Sequence, residues 1–433
     1  MIPEIELKSI EEIKQFQDKK LQELLVYLSE KSAFYQKLFA KNNIPFNSIK
    51  THKDLTKIPT TTKEDLQQYN DDFICVNKTE IIDYVTTSGT TGKPVFFGLT
   101  DKDLDRLAYN EAISFACSNL TKKDTIQLMT TMDRRFMAGL AYFLGARKLG
   151  AGIIRVGAGI PELQWDSIQK FQPTYLVTVP SFLLKLIAYA EKNNIDINKS
   201  SIKGAICIGE PLKNQDFTPN ILSKKITEKW HINLYSTYAS TEMNTAFAEC
   251  EYQVGGHHHP ELIIVEILDE NNQPVANNEE GELVITTLGV EAMPLLRFKT
   301  GDIVKAHYDS CKCGRNTLRL GPVIGRKKQM IKYKGTTIYP PAMYNLLNDF
   351  SEIKSYIIEI DKNEIGTDKI TLKLYAPENE VSLLHKLKDH FRAKLRVLPI
   401  IEFVTKEEIN SLKFPKMSRK PMLFIDKRKQ KNS

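Results

Sequence analysis

Ile10, Ile13, Leu21, Leu24, Leu25 and Leu28 fall on one helical face, behind the capping box Ser9-Ile10-Glu11-Glu12. That spacing predicts an amphipathic helix over 9–28. Helical spacing recurs over 32–41 and, briefly, over 63–69. Past residue 120 the texture changes. Short apolar runs at 125–129, 152–156, 175–179 and 205–208 alternate with helical stretches at 137–149, 163–171 and 181–193. Repeated β–α–β order predicts a parallel sheet with helices on its faces. From about residue 261 strand-like runs take over, at 262–268, 282–287 and 303–307. After Gly325 comes a smaller α+β pattern, with strands at 355–360, 371–375 and 400–404 and a helix at 381–394. The expected fold is α/β. A large N-terminal domain, 1–325, would hold parallel sheets flanked by helices plus a strand-rich subdomain. A small α+β C-terminal domain, 326–433, would follow.

A length of 433 residues suits two such domains, and 42% hydrophobic residues are enough for a sizeable core. No run of about 18 apolar residues occurs, so no membrane span is expected. The chain opens Met1-Ile2-Pro3-Glu4-Ile5-Glu6, acidic where a signal peptide would be basic, which predicts a cytoplasmic protein. Six irregularly spaced cysteines do not form a disulfide framework. The net charge of +7 gathers partly in Lys427-Arg428-Lys429-Gln430-Lys431, which reads as a solvated tail. No basic stripe interleaved with aromatics is present, so no nucleic-acid partner is expected. The excess is equally consistent with small anionic partners.

Candidate chemistry begins at Thr87-Ser88-Gly89-Thr90-Thr91-Gly92-Lys93-Pro94, between strand-like runs at 81–85 and 95–99. Glycines let the backbone approach a ligand, and hydroxyls, N–H groups and a lysine can hold phosphate oxygens. A Walker A loop needs four residues between its glycines, then Lys-Ser/Thr and a helix. Here two residues separate Gly89 from Gly92, and a proline and a strand follow the lysine. Further along come Tyr238-Ala239-Ser240-Thr241-Glu242 after a strand-like 232–235, Lys299-Thr300-Gly301-Asp302, Gly325-Arg326-Lys327-Lys328, and Lys420.

In order and spacing these motifs resemble those of the adenylate-forming superfamily of acyl-CoA synthetases, adenylation domains and luciferase. The phenylacetate–CoA ligase family is the nearest resemblance. It extends through Ser32-Ala33-Phe34-Tyr35, Ile58-Pro59-Thr60-Thr61-Thr62-Lys63, Glu282-Leu283-Val284-Ile285-Thr286-Thr287 and Glu291-Ala292-Met293-Pro294-Leu295-Leu296-Arg297. Two positions depart from the family pattern. Ala239 stands where glycine is usual, and Arg419 precedes Lys420 where glycine is usual.

The resemblance implies that a carboxylate attacks the α-phosphorus of ATP, giving an acyl-adenylate and pyrophosphate, before a thiol takes the acyl group. It implies that Thr87, Ser88, Gly89, Thr90, Thr91, Gly92 and Lys93 hold the β- and γ-phosphates. Glu242 would help bind Mg²⁺, with Thr241 beside the α-phosphate and Tyr238 stacked on adenine. Asp302 would accept the ribose hydroxyls and Arg326 would contact ribose or phosphate. Lys420 would reach the oxygen that gains charge on adenylation, with Lys416 as a rival within the same loop. Lys328 would be the hinge of a mobile small domain. The acyl pocket would draw on Phe136, Gly139, Ile208, Gly209, Glu210, Pro211 and Tyr235, a set that suits an aromatic acid.

The cysteines carry a separate signal. Cys311-Lys312-Cys313-Gly314 is a tight knuckle, with Cys250 and His257-His258-His259 upstream. Sulfurs with one imidazole form a soft tetrahedral set that suits zinc, against the alternative of reduced thiols beside a polar loop. The resemblance implies a structural Zn²⁺ held by Cys250, His257, Cys311 and Cys313. Cys75, Cys117 and Cys207 read as core fillers.

The reading is an ATP- and Mg²⁺-dependent ligase joining an aromatic carboxylic acid to coenzyme A. The alternatives are loading of an acyl carrier protein's phosphopantetheine arm and, from another class, a non-catalytic zinc-binding module. A homodimer is compatible with the resemblance.

Overall fold

The computed structural model describes residues 2–87, 95–333, 336–362, 368–377, 380–414 and 421–428. Two compact units emerge. The first comprises residues 1–300 and 304–322, the second residues 301–303 and 323–433.

The first unit is α/β. Strands Thr125–Leu128, Gly152–Arg155, Tyr175–Thr178, Gly204–Ile208 and Asn233–Ser240 are all parallel, as the β–α–β order predicts. Helices Met137–Leu149, Pro161–Phe171 and Pro180–Lys192 connect them. A core of Trp165, Leu176, Leu183, Leu186, Ile226, Trp230 and their neighbours lies under one part of the sheet, with the two indoles stacked at 5.4 Å. Strand Thr245–Ala248 then returns antiparallel along Asn233–Ser240. The strand-rich part follows, with Ile263–Leu268 antiparallel to Glu280–Thr287. The N-terminal helix runs Ile10–Lys31, and Ser9 and Glu12 form its reciprocal cap. Helix Ala33–Lys41 is capped by Ser32, and Lys63–Gln68 by Thr62 and Asp65.

One long helix, Asp101–Cys117, is not among the elements predicted from the apolar pattern. Its start is signed by the box Thr100–Asp103. Its polar residues Asp103, Arg106, Asn110, Glu111 and Ser114 are buried along with its apolar ones. A helix buried nearly all round loses the amphipathic contrast on which the pattern depends.

The second unit is a four-stranded sheet in the order Ile400–Phe403, Asp368–Tyr375, Ser355–Lys362, Phe424–Asp426. The central pair is antiparallel and both outer strands join in parallel. Helices Pro340–Asn348 and Glu380–Leu395 supply Met343, Leu383, Leu387 and Phe391 to its core. The basic residues 427 and 428 are not a solvated tail. Lys427 Nζ pairs with Glu359 at 2.7 Å, and Arg428 pairs with Asp426 at 2.7 Å and Asp368 at 2.9 Å. The strand just before them brings these cations against carboxylates of the same sheet, of which Glu359 is buried.

Candidate functional site

The loop that begins at Ser88 has its base in the structure. Strands Asp83–Thr86 and Phe96–Leu99 pair antiparallel. Thr87 N–H donates to Val95 O at 2.9 Å, and Val95 N–H donates to Thr87 Oγ1 at 3.1 Å. The Thr87 hydroxyl therefore helps close the neck of the loop. Ser88, Gly89, Thr90, Thr91, Gly92 and Lys93 lie outside the described residues, as do Lys416 and Lys420.

Ser240 faces Thr245 across a hairpin, so Thr241, Glu242, Met243 and Asn244 make up the whole turn. Ser240 Oγ accepts from Met243 N–H at 3.3 Å, and Asn244 Nδ2 donates to Thr241 O at 3.2 Å. Asn244 takes a left-handed φ of 50°, which asparagine tolerates. Met243 is fully buried, while Thr241 and Glu242 stay partly open. Lys63 Nζ lies 3.6 Å from Glu242 Oε1, beyond hydrogen-bond range. Tyr238, on the strand before the turn, tilts against Phe247 with 6.0 Å between ring centroids.

Near the ends of the parallel strands, Gly139 meets a close backbone. A β-carbon there would sit 2.2 Å from Thr131 O, so only glycine lets helix Met137–Leu149 press on that loop. Phe136 is the N-cap residue of the same helix. Gly209 has φ 77°. The Glu210 carboxylate accepts from Ser181 N–H and Oγ, both at 2.9 Å, at the first turn of helix Pro180–Lys192. A carboxylate there also suits the helix dipole. Pro211 O accepts from Asn220 Nδ2 at 2.8 Å. Ile208 is half-buried against a core cluster that contains Tyr235, which is 3% exposed.

In the second unit, Asp302 and Arg326 are register partners on paired strands, with Arg326 Nε 3.2 Å from Asp302 Oδ1. Lys328 is exposed in a short 3₁₀ turn, Lys327–Gln329. The carbonyls of Lys328 and Met330 accept from the Arg428 guanidinium at 3.5 and 2.9 Å.

The four residues Cys250, His257, Cys311 and Cys313 converge, their ligand atoms all within 4.8 Å of one another. Cys250 Sγ and Cys311 Sγ are 3.7 Å apart, and Cys313 Sγ is 3.5 Å from His257 Nε2. A tetrahedral zinc with Zn–S near 2.3 Å and Zn–N near 2.0 Å would separate two sulfurs by about 3.8 Å, and a sulfur and a nitrogen by about 3.5 Å. The donor set and spacing therefore fit that ion. His257 Nδ1 lies 3.1 Å from Thr317 Oγ1. With Nδ1–H donating to that hydroxyl, Nε2 keeps its lone pair toward the sulfurs. Burial pushes the His257 imidazole below its ordinary pKa and keeps it neutral. The Cys313 thiol is held far below the ordinary range, first by the hydrogen bond from Cys250 and also by Arg315. His258 and His259 turn elsewhere. His258 Nε2 is 2.6 Å from Ile263 O, and His259 Nδ1 is 2.5 Å from Glu6 Oε1.

The sequence reading passed over several supporting residues. Arg315 Nη1 donates to Cys313 Sγ at 3.5 Å, and its Nε donates to the fully buried Glu6 at 2.7 Å. Arg315 stands two positions from Cys313, immediately after the knuckle. Glu6 comes from the far end of the chain, and no local pattern marks it. Arg106, inside the unpredicted helix, bonds the backbone of the Glu242 turn.

A family model for AMP-binding enzymes matches residues 10–292. The chain belongs to the AMP-binding enzyme family, and its α/β first unit and separate smaller unit accord with that class. A phenylacetate-coenzyme A ligase of Thermus thermophilus is 29% identical over 382 residues, covering 87% of this chain and 84% of the relative. A phenylacetate-coenzyme A ligase of Escherichia coli is 27% identical over 403 residues, covering 90% and 89%. Among solved structures, a 2-hydroxyisobutyryl-CoA ligase in the postadenylation state matches with TM-score 0.84 at 22% identity, covering 98% of this chain and 91% of that one. An anthranilate CoA ligase matches with TM-score 0.60 at 17% identity, covering 81% and 67%. At those identities the solved structures speak for the fold alone.

Proposed function

We propose that this protein is an AMP-forming aryl-CoA ligase, joining an aromatic carboxylic acid to coenzyme A at the expense of ATP. The observation that carries the reading is the part-open Thr241–Asn244 turn with its Glu242 carboxylate, in a chain of the AMP-binding family whose near-full-length relatives include phenylacetate-coenzyme A ligases. In the first half-reaction the substrate carboxylate oxygen forms a bond to the α-phosphorus and pyrophosphate leaves. In the second the CoA sulfur bonds to the acyl carbon and AMP leaves. Phosphoryl transfer depends mostly on positioning and on neutralising charge. Glu242 is the residue that would hold Mg²⁺, which when bound offsets the phosphate charge. Thr241 and the residues from Thr87 to Lys93 would orient the phosphates, Tyr238 would cover the adenine, and Asp302 with Arg326 would take the ribose. Lys420 is the proposed adenylation lysine. Lys328 is the proposed hinge between an adenylation domain, 1–325, and a small domain, 326–433. Phe136 and the 208–211 segment are the proposed acyl-pocket lining.

Cys250, His257, Cys311 and Cys313 are proposed to hold one structural zinc. A closed four-ligand set leaves no position for substrate, so its role is to fasten the fold. The test of the ligase reading is incubation with Mg-ATP, CoA and a panel of aryl and arylacetic acids, followed by mass analysis. An aryl-CoA thioester is the expected product. Acyl-adenylate accumulation with no CoA thioester for any acid would remove CoA as the acceptor and turn attention to a carrier protein.

A further inference from the structure

Helix Asp101–Cys117 carries a row of buried polar side chains four residues apart, Arg106, Asn110 and Ser114, continued by Ser118 just past its end. The row lies along strand Thr245–Ala248, which joins the Glu242 turn to Cys250. One edge of that strand pairs with Asn233–Ser240, and the other meets only a bridge from Ala248 to His257. Alternate residues of a strand point their N–H and C=O groups to the same edge. On the open edge the helix supplies the missing partners. Arg106 Nη1 donates to Asn244 O at 2.6 Å, Asn110 Oδ1 accepts from Ala246 N–H at 3.0 Å, and Cys117 Sγ donates to Ala248 O at 3.4 Å. Ser118 Oγ then reaches Glu249 O at 3.0 Å.

Arg106 does more than fill an edge. Its Nε donates to Leu288 O at 2.7 Å, and Nη2 donates to Leu262 O at 2.6 Å and Thr245 Oγ1 at 3.2 Å. One fully buried guanidinium thus ties the last residue of the Glu242 turn to two other segments of the unit. Burying a cation is costly, and it persists only where its donors are satisfied. Desolvation brings its pKa down to about 10, offset by Asp103 and Glu261, so it stays charged at neutral pH. Only arginine's planar fork of donors reaches all these carbonyls at once.

We propose that Arg106 is a positioning residue that fixes the Thr241–Asn244 turn and so sets where Glu242 stands for the metal–nucleotide, with Asn110 as the second rung. The proposal rests on Glu242 being the metal-binding acid of an adenylation reaction.

The test is ATP–pyrophosphate exchange titrated with Mg-ATP, alongside amide hydrogen exchange over residues 241–246. Arg106→Lys should raise the KM for Mg-ATP by roughly tenfold or more, because a small displacement of a reacting group is expensive. It should speed exchange of the turn amides, yet convert presynthesised acyl-adenylate to thioester nearly as wild type. Asn110→Ala should move the same KM and the Ala246 amide in the same direction, by less. Folded Arg106→Lys with unchanged KM and unchanged turn amides would overturn the proposal. So would an equal loss of both half-reactions in folded Arg106→Lys. If Arg106→Lys does not fold, Asn110→Ala decides alone, and an unchanged KM there overturns the proposal. If the wild type exchanges no pyrophosphate with any acid, the ligase reading falls, and the turn amides in the variants decide on Arg106.

Discussion

The Glu242 turn and the Cys250–Cys313 cluster stand at opposite ends of one strand, Thr245–Ala248, and are built in opposite ways. At the cluster the ligand atoms crowd together, and Thr317 and Arg315 back His257 and Cys313. At the turn, Glu242 is partly open and its lysine neighbour stays 3.6 Å away. On the proposed reading the cluster would close around its ion, whereas Glu242, paired with Lys63, would still offer a carboxylate to a metal that keeps other positions for phosphates. Metal centres that only hold a fold close their coordination, whereas centres that do chemistry keep a place for substrate. On that ground the turn should carry rate and the cluster should carry stability.

The largest expected effect lies at Lys420. As the proposed adenylation lysine, its charge would matter only as the bridging oxygen turns negative, so Lys420→Ala should lower acyl-adenylate formation by roughly 10³-fold while sparing much of the thioester step from supplied adenylate. Lys416→Ala should change little, and single-turnover assays of each half-reaction separate the two lysines. An inactive Lys416→Ala beside an active Lys420→Ala would reverse their roles.

Next comes Glu242→Gln, which should cut pyrophosphate exchange by roughly 10²-fold, a few kcal/mol of charge stabilisation. Its melting temperature should stay near that of wild type. A large drop in stability would mean that the turn is as structural as the cluster.

Cys311→Ser should do the converse. Metal analysis of dialysed wild type should give about one zinc per chain, and the variant should lose it together with roughly 10 °C of melting temperature. Adenylation by the protein that remains folded should fall much less. Zinc-free native protein would end the structural-metal reading.

The smallest effect concerns Glu111, on the helix that braces the strand between the two regions. Burial raises its pKa from 4.5 to about 8, so the folded chain holds a proton that the unfolded chain releases. Its contribution to stability is full below about pH 4.5 and is lost as pH rises to about 8. Glu111→Gln should therefore gain on wild type in thermal melts at pH 8 relative to pH 5. Parallel melting curves at the two values would contradict this.

Much of this contrast was legible in the sequence. The placement of residues 238–242 after a strand-like run, and the convergence of Cys250, His257, Cys311 and Cys313, could be read from residue order and spacing. The parallel strands declared themselves because each is a short apolar run between helical stretches. What escaped was the layer behind. Helix Asp101–Cys117 hid because its buried face includes Arg106, Asn110 and Ser114, which look solvent-facing to any hydrophobicity pattern. Glu6 hid because its partners Arg315 and His259 arrive only through tertiary folding. The basic 427–428 pair misled because charge on a terminal segment looks solvated until the sheet places carboxylates beneath it.

The most direct measurement is the identity of the phosphorus products when purified protein meets Mg-ATP and an aryl or arylacetic acid. The account predicts pyrophosphate with AMP bound as the acyl-adenylate, dependent on the acid and reduced in Glu242→Gln. ADP and orthophosphate as the direct products would contradict it.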